Sequence, residues 1–158
     1  MNIRVANCID KDFKHFIVDS TRYFISELLP KNVYDELNID IRFYKKLKDY
    51  GNTLYNEPND FLIKLRKNMS VKNIFETLAH ELVHVKQFVL GQIDTNLDTW
   101  CGKKVTCDYL FQPWEVEANG LSYTLFFNYA HKHELWHIFT EIDNPYEEYN
   151  NTKIWKNK

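Results

Sequence analysis

The chain has little cysteine, no long apolar run, no strong charge of either sign and no internal repeat. Each absence excludes a class of protein. Its three cysteines, Cys8, Cys101 and Cys107, are an odd set and argue against a disulfide framework. Cys101 and Cys107 flank a short stretch and stand close enough to meet across a turn, yet free thiols are the expectation in a reducing compartment. No CxxC pair exists, which argues against a cysteine zinc site. No apolar stretch approaches the roughly 20 residues that span a bilayer. The N-terminal residues lack the apolar core of a secretory signal, so the cytoplasm is the expected location. A net charge of −2 gives no electrostatic reason to expect nucleic acid or an anionic membrane as a partner. What the chain does have is aromatics, with eleven Phe and ten Tyr in 158 residues. That length and composition suit one packed domain over residues 1–158, with a core from about 10 to 141.

Hydrophobic periodicity predicts an α+β fold. Phe13, Phe16, Ile17, Phe24, Ile25 and Leu28 recur at helical spacing from Lys11 to Leu29, and Pro30 stops the run. Ile39, Ile41 and Phe43 alternate with Asp40 and Arg42, which is strand periodicity. Tyr50-Gly51-Asn52 reads as a turn, and the Asn56–Asp60 stretch as another. Phe61 to Arg66 reads as a second strand, giving a small antiparallel sheet with an edge strand. From Ser70, a plausible N-cap, an amphipathic helix runs through Ile74, Phe75, Leu78, Leu82, Val85 and Val89 to Gly91. Residues 92–112 read as an irregular loop. Pro113 opens a second long helix from about Trp114 to Tyr129, with further helix expected to about Glu141. The tail from Asn144 is Asn- and Lys-rich and is expected to fray. Lys45-Lys46-Leu47-Lys48 reads as a solvated basic stretch.

The chemistry lies in the first of the two long helices. His80-Glu81-Leu82-Val83-His84 is an HExxH pentapeptide. Residues i and i+4 share a helix face, so His80 and His84 can grip one zinc ion. Glu81 then sits beside a water in the ion's open position, as the general base for hydrolysis. A catalytic zinc needs a third protein ligand. The best candidates are in Pro113-Trp114-Glu115-Val116-Glu117-Ala118-Asn119, where Glu115 and Glu117 point about 200° apart on a helix and cannot both face the metal.

With HELVHVKQ (80–87), Trp100-x-Gly102 and PWEVEAN (113–119) together, the chain resembles small phage-type and bacterial HExxH zinc metallopeptidases. These are gluzincin-like, minimal zincin folds grouped loosely with SprT-like peptidases. The resemblance covers about Phe75 to Tyr123. It implies one Zn2+ per chain held by His80, His84 and Glu115, with Glu117 as the alternative third ligand and Asn119 hydrogen-bonding a ligand histidine. Asn119 stands where the family pattern carries Asp. It implies a peptide or protein substrate and, by analogy with other metallopeptidases, that the strand just before the HExxH helix is an edge strand onto which an extended peptide adds. For an oxyanion stabiliser, Tyr109, Tyr123 and His131 are open candidates. The same resemblance allows a phage protein that keeps the fold but binds a host partner without turnover. It also allows a DNA-associated SprT-like protease, against which the slightly acidic balance argues.

Bland readings stand beside these. A chance HExxH arises in about one or two of a hundred chains of this composition, and this chain has a second copy, His133-Glu134-Leu135-Trp136-His137. On an unbroken helix His133 would lie about 27 Å from Glu115, so the second copy reads as ordinary packing. Gln87 reads as an exposed polar residue, and Trp100 and Trp114 as packing residues.

Overall fold

The computed structural model describes residues 1–8 and 10–135. His137, the helix expected to Glu141 and the tail from Asn144 lie outside the described residues. The fold is α+β, as its periodicities require. Strand β1 (Asn2–Ala6) leads through helix α1 (Lys11–Leu28) and the single turn α2 (Lys31–Tyr34) to β2 (Asn38–Tyr44). Then come β3 (Gly51–Glu57), β4 (Asp60–Arg66) and helix α3 (Val71–Val89). A two-residue hairpin, β5 (Thr99–Trp100) and β6 (Lys103–Lys104), precedes a 3-10 turn (Tyr109–Phe111) and helix α4 (Pro113–Lys132).

The main sheet has the order β1-β2-β4-β3. It is mixed, which corrects the expectation of an antiparallel sheet. β1 pairs parallel with β2, and β2 parallel with β4; only β3 runs antiparallel to β4. The physical reason is twofold. α1 makes a crossover between β1 and β2, which lets them run the same way, and β3 lies at the outside while its hairpin partner β4 returns between it and β2, parallel to β2. The sheet also begins at Asn2, so the core starts earlier than residue 10; Val5 is buried in it.

The strand that directly precedes α3, β4, is not the edge. Phe61, Ile63 and Leu65 are fully buried, and β4 has a neighbour on each side. The edges are β1 and β3, and β3 is joined to β4 by a tight turn in which Asn59 takes a left-handed φ of 66°. Residues 50–52, expected as a turn, therefore include the first residues of β3. The expected loop at 92–112 carries the β5–β6 hairpin and the 3-10 turn.

Both long helices around the site are terminated by local chemistry. Ser70 caps α3, its side chain accepting from the Asn73 N–H at 3.2 Å. At the other end Gly91 takes φ 62°, and the Gln92 N–H reaches the Gln87 carbonyl at 2.8 Å. Pro113 occupies the first turn of α4, where its missing N–H costs nothing. α1, α3 and α4 meet in an aromatic core: Phe16 and Tyr129 both pack on Phe75, at ring separations of 4.6 and 6.1 Å. That core fixes α3 against α4 and so sets which residues of the two helices face each other.

Candidate metal centre

Three side chains converge where α3 meets α4. The His84 Nε2 lies 3.0 Å from the His80 Nε2. Glu115 places Oε2 3.3 Å from the His80 Nε2 and Oε1 3.7 Å from the His84 Nε2. One ligand atom from each residue falls within 4.8 Å of the others, and among the described residues this is the group of His, Cys, Asp and Glu able to hold a metal ion. The distances test the fit. With zinc–ligand bonds of about 2.0–2.1 Å, the edge of a coordination tetrahedron is about 3.3 Å. The distance between the histidine nitrogens and the contact of each with its nearer Glu115 oxygen, Oε2 for His80 and Oε1 for His84, bracket that value, so the donor set is compatible with zinc.

Helical register explains the convergence. His80 and His84 stack one turn apart on the face of α3 that meets α4. Pro113 and Trp114, the latter buried, bring Glu115 in on the first turn of α4. Glu117 faces elsewhere: its Oε1 takes an ion pair from the Lys86 Nζ at 2.7 Å, and its Oε2 a hydrogen bond from the Gln87 Nε2 at 2.9 Å. Of the two glutamates, the structure brings Glu115 to the histidines and Glu117 to Lys86 and Gln87.

A second layer holds the histidines. Gln87 is fully buried, which corrects the expectation of an exposed residue. Its Oε1 lies 2.8 Å from the His84 Nδ1, while its Nε2 donates to the Trp114 carbonyl at 2.9 Å. An amide that satisfies the backbone of α4 with one end thereby orients the His84 ring with the other. On the other side Asn119 lies near His80, both bordering the same cavity.

The charges follow from this packing. Burial alone would push the Glu115 carboxyl up, but the His80 hydrogen bond, the nearby His84 and the Tyr109 hydroxyl together hold it below the usual carboxylate range. Burial opposes protonation of His80, and the Glu115 bond with the charge of Glu81 outweighs it, so His80 titrates above its ordinary value. Burial and the charge on His80 both push His84 down. Glu81 is 5% exposed. Its burial lifts the carboxyl to about 7, against the pull of His80 and a Thr53 hydrogen bond.

Two cavities open on this centre. One, of 450 Å³, is lined by Asp49, Tyr50, Glu76 and Tyr123 among others; the second, of 310 Å³, by Phe88, Ile93, Leu97 and Trp114. Gly51, His80, Glu81 and Tyr109 border both. The two cavities therefore meet at the histidine–glutamate cluster, along edge strand β3.

Of the three candidate oxyanion donors, the structure brings Tyr109 to the site, where it lies near Glu115. Tyr123 lines the larger cavity, with its ring stacked on Phe127. His131 sits in the last turn of α4, some 24 Å along the axis from Glu115, and borders neither cavity. His133 also lies at that far end, its ring centroid 4.3 Å from that of Tyr129 and 6.5 Å from that of Tyr23. Gly51 and Thr53 at the site were missed in the sequence because they belong to β3; a glycine inside a strand is the one signal that marks a close backbone approach.

No family model, no curated protein and no solved structure matches this chain.

Proposed function

We propose that the chain is a zinc-dependent peptidase with His80, His84 and Glu115 as metal ligands and Glu81 as general base. The observation that carries the reading is the convergence of His80, His84 and Glu115, with one ligand atom from each within 4.8 Å of the others, and the buried Glu81 carboxyl beside the histidines on the same helix. When bound, zinc supplies Lewis acidity and lowers the pKa of water. Glu81 then takes a proton from the attacking water and passes it to the leaving amine. Its Oε2 is engaged by the Thr53 hydroxyl at 2.8 Å, so Oε1 is the oxygen available for that proton. Tyr109, beside Glu115 and at the mouth of both cavities, is the donor best placed to meet charge developing on a substrate carbonyl.

Edge strand β3 supports a peptide as substrate. An extended chain adding to its free side would lie across both cavities and over the ligand cluster. Cys101 and Cys107 are exposed free thiols, which suits a reducing compartment such as the cytoplasm. No helix among the described residues is long and apolar enough to cross a membrane.

Digestion of a mixed peptide library tests the reading. Cleavage that a chelator stops and added zinc restores is the expected result. Zinc binding with no cleavage of any peptide would instead favour the partner-binding alternative.

A further inference from the structure

We propose that β3 acts as a clamp on Glu81, with Gly51 and Thr53 as the positioning residues that set where its carboxylate points. The proposal rests on the peptidase reading for its catalytic meaning, but the clamp itself is a matter of packing.

Gly51, Thr53 and Tyr55 share one face of β3, since alternate residues of a strand point the same way. That face lies on α3. The Tyr55 ring stacks on that of Phe88 at 5.4 Å. Thr53 hydrogen-bonds the Glu81 Oε2 at 2.8 Å and the Glu81 carbonyl at 3.0 Å. At Gly51 the strand comes closer still. A Cβ there would lie 2.6 Å from the Glu81 Oε1, 2.6 Å from the Thr77 Cγ2 and 2.9 Å from the Glu81 Cγ. Real Cβ atoms do not approach so near, so any side chain at 51 must move Glu81 or the strand. The φ of Gly51 is not left-handed. Space, not backbone freedom, requires glycine here.

The two contacts act on different oxygens of one carboxylate. Thr53 holds Oε2 by a hydrogen bond, and bare Gly51 leaves room for Oε1. Glu81 is buried, and a buried carboxylate without partners is costly; among the described residues Thr53 is the side chain that hydrogen-bonds it. A purely structural threonine would need only its methyl group at this position. The strand that offers its free edge to a substrate therefore also aims the base.

The test uses the full chain in two forms. In the zinc-loaded protein, Thr53→Val and Gly51→Ala should retain the metal and near-normal KM toward a library-derived peptide. Their kcat should fall roughly 10- to 100-fold, the range expected for a misplaced catalytic group, and Thr53→Ser should restore it. In the metal-free protein, thermal melting reads the clamp without catalysis. The loss of Tm caused by Thr53→Val should shrink on a Glu81→Ala background, and that caused by Gly51→Ala should shrink on a Glu81→Ala, Thr77→Ser background. Unchanged kcat in both single variants, or strictly additive melting shifts, overturns the proposal. If the wild type cleaves no peptide, the peptidase reading fails while the melting cycles still decide the clamp.

Discussion

The chain writes the same five-residue pattern twice, and the two copies have different surroundings. At the first, His80 meets a buried carboxylate, with 3.3 Å between its Nε2 and the Glu115 Oε2. At the second, His133 meets rings, 4.3 Å from the centroid of Tyr129. Both histidines lie against α4, one near its first turn and the other just past its last. What separates them is the register of that helix. Its N-terminal turn carries Glu115 and Asn119 toward α3, and its C-terminal turns carry Tyr129 and Ala130 into the aromatic core. An HExxH pattern becomes a candidate site only where a second element brings an acid within coordination distance.

Four substitution experiments would break or sharpen that contrast. The largest effect is expected at the ligands. His80→Ala or Glu115→Ala should abolish stoichiometric zinc, read as metal content per chain, and should remove the rise in Tm that added zinc gives the wild type. His133→Ala should leave metal content unchanged, and its loss there would end the distinction between the two copies. Next is the base: Glu81→Gln should keep zinc while kcat falls roughly 100- to 10,000-fold in a peptide assay. Unimpaired turnover would remove Glu81 from the mechanism.

A smaller effect is expected from the residues behind the ligands. Gln87→Ala frees the His84 ring and should weaken zinc binding about 10- to 100-fold in a chelator competition. Equal affinity in wild type and variant would show that Gln87 serves only the Trp114 backbone. The smallest effect belongs to the second copy. His133→Ala should cost about 0.5–1.5 kcal/mol of stability in denaturant unfolding, the worth of an aromatic contact, with no change in any peptide assay.

The parts of this arrangement differ in how much the sequence reveals. α1, α3 and α4 were legible because each keeps apolar residues at helical spacing between recognisable ends such as Pro30, Ser70 and Pro113. β2 and β4 were legible because central strands bury every second residue, as Ile39, Ile41, Phe61 and Ile63 do. β3 was not. It is an edge strand whose central Thr53, Leu54 and Tyr55 are flanked by Gly51, Asn52, Asn56 and Glu57, residues with poor strand propensity, and its place depends on pairing with β4 rather than on its own pattern. The sheet's mixed directions were hidden for the same reason, since they arise from the crossover and not from any one segment.

At the site, His80, Glu81 and His84 followed from local spacing alone. Glu115 and Glu117 were indistinguishable to that reasoning, because the packing of α4 on α3 decides between them. Gln87 was misjudged because a polar residue on a helix reads as solvent-facing. Here it is buried and doubly bonded between His84 and the Trp114 carbonyl. Thr53 and Gly51 could not be placed at all without β3.

The central claim is that one metal ion sits between α3 and the first turn of α4, with Glu115 completing the set. The most direct measurement is zinc content after loading and desalting, compared among wild type, Glu115→Ala and Glu117→Ala. One zinc per chain in wild type and Glu117→Ala, with none in Glu115→Ala, is the predicted result. Zinc retained in Glu115→Ala and lost in Glu117→Ala would contradict it.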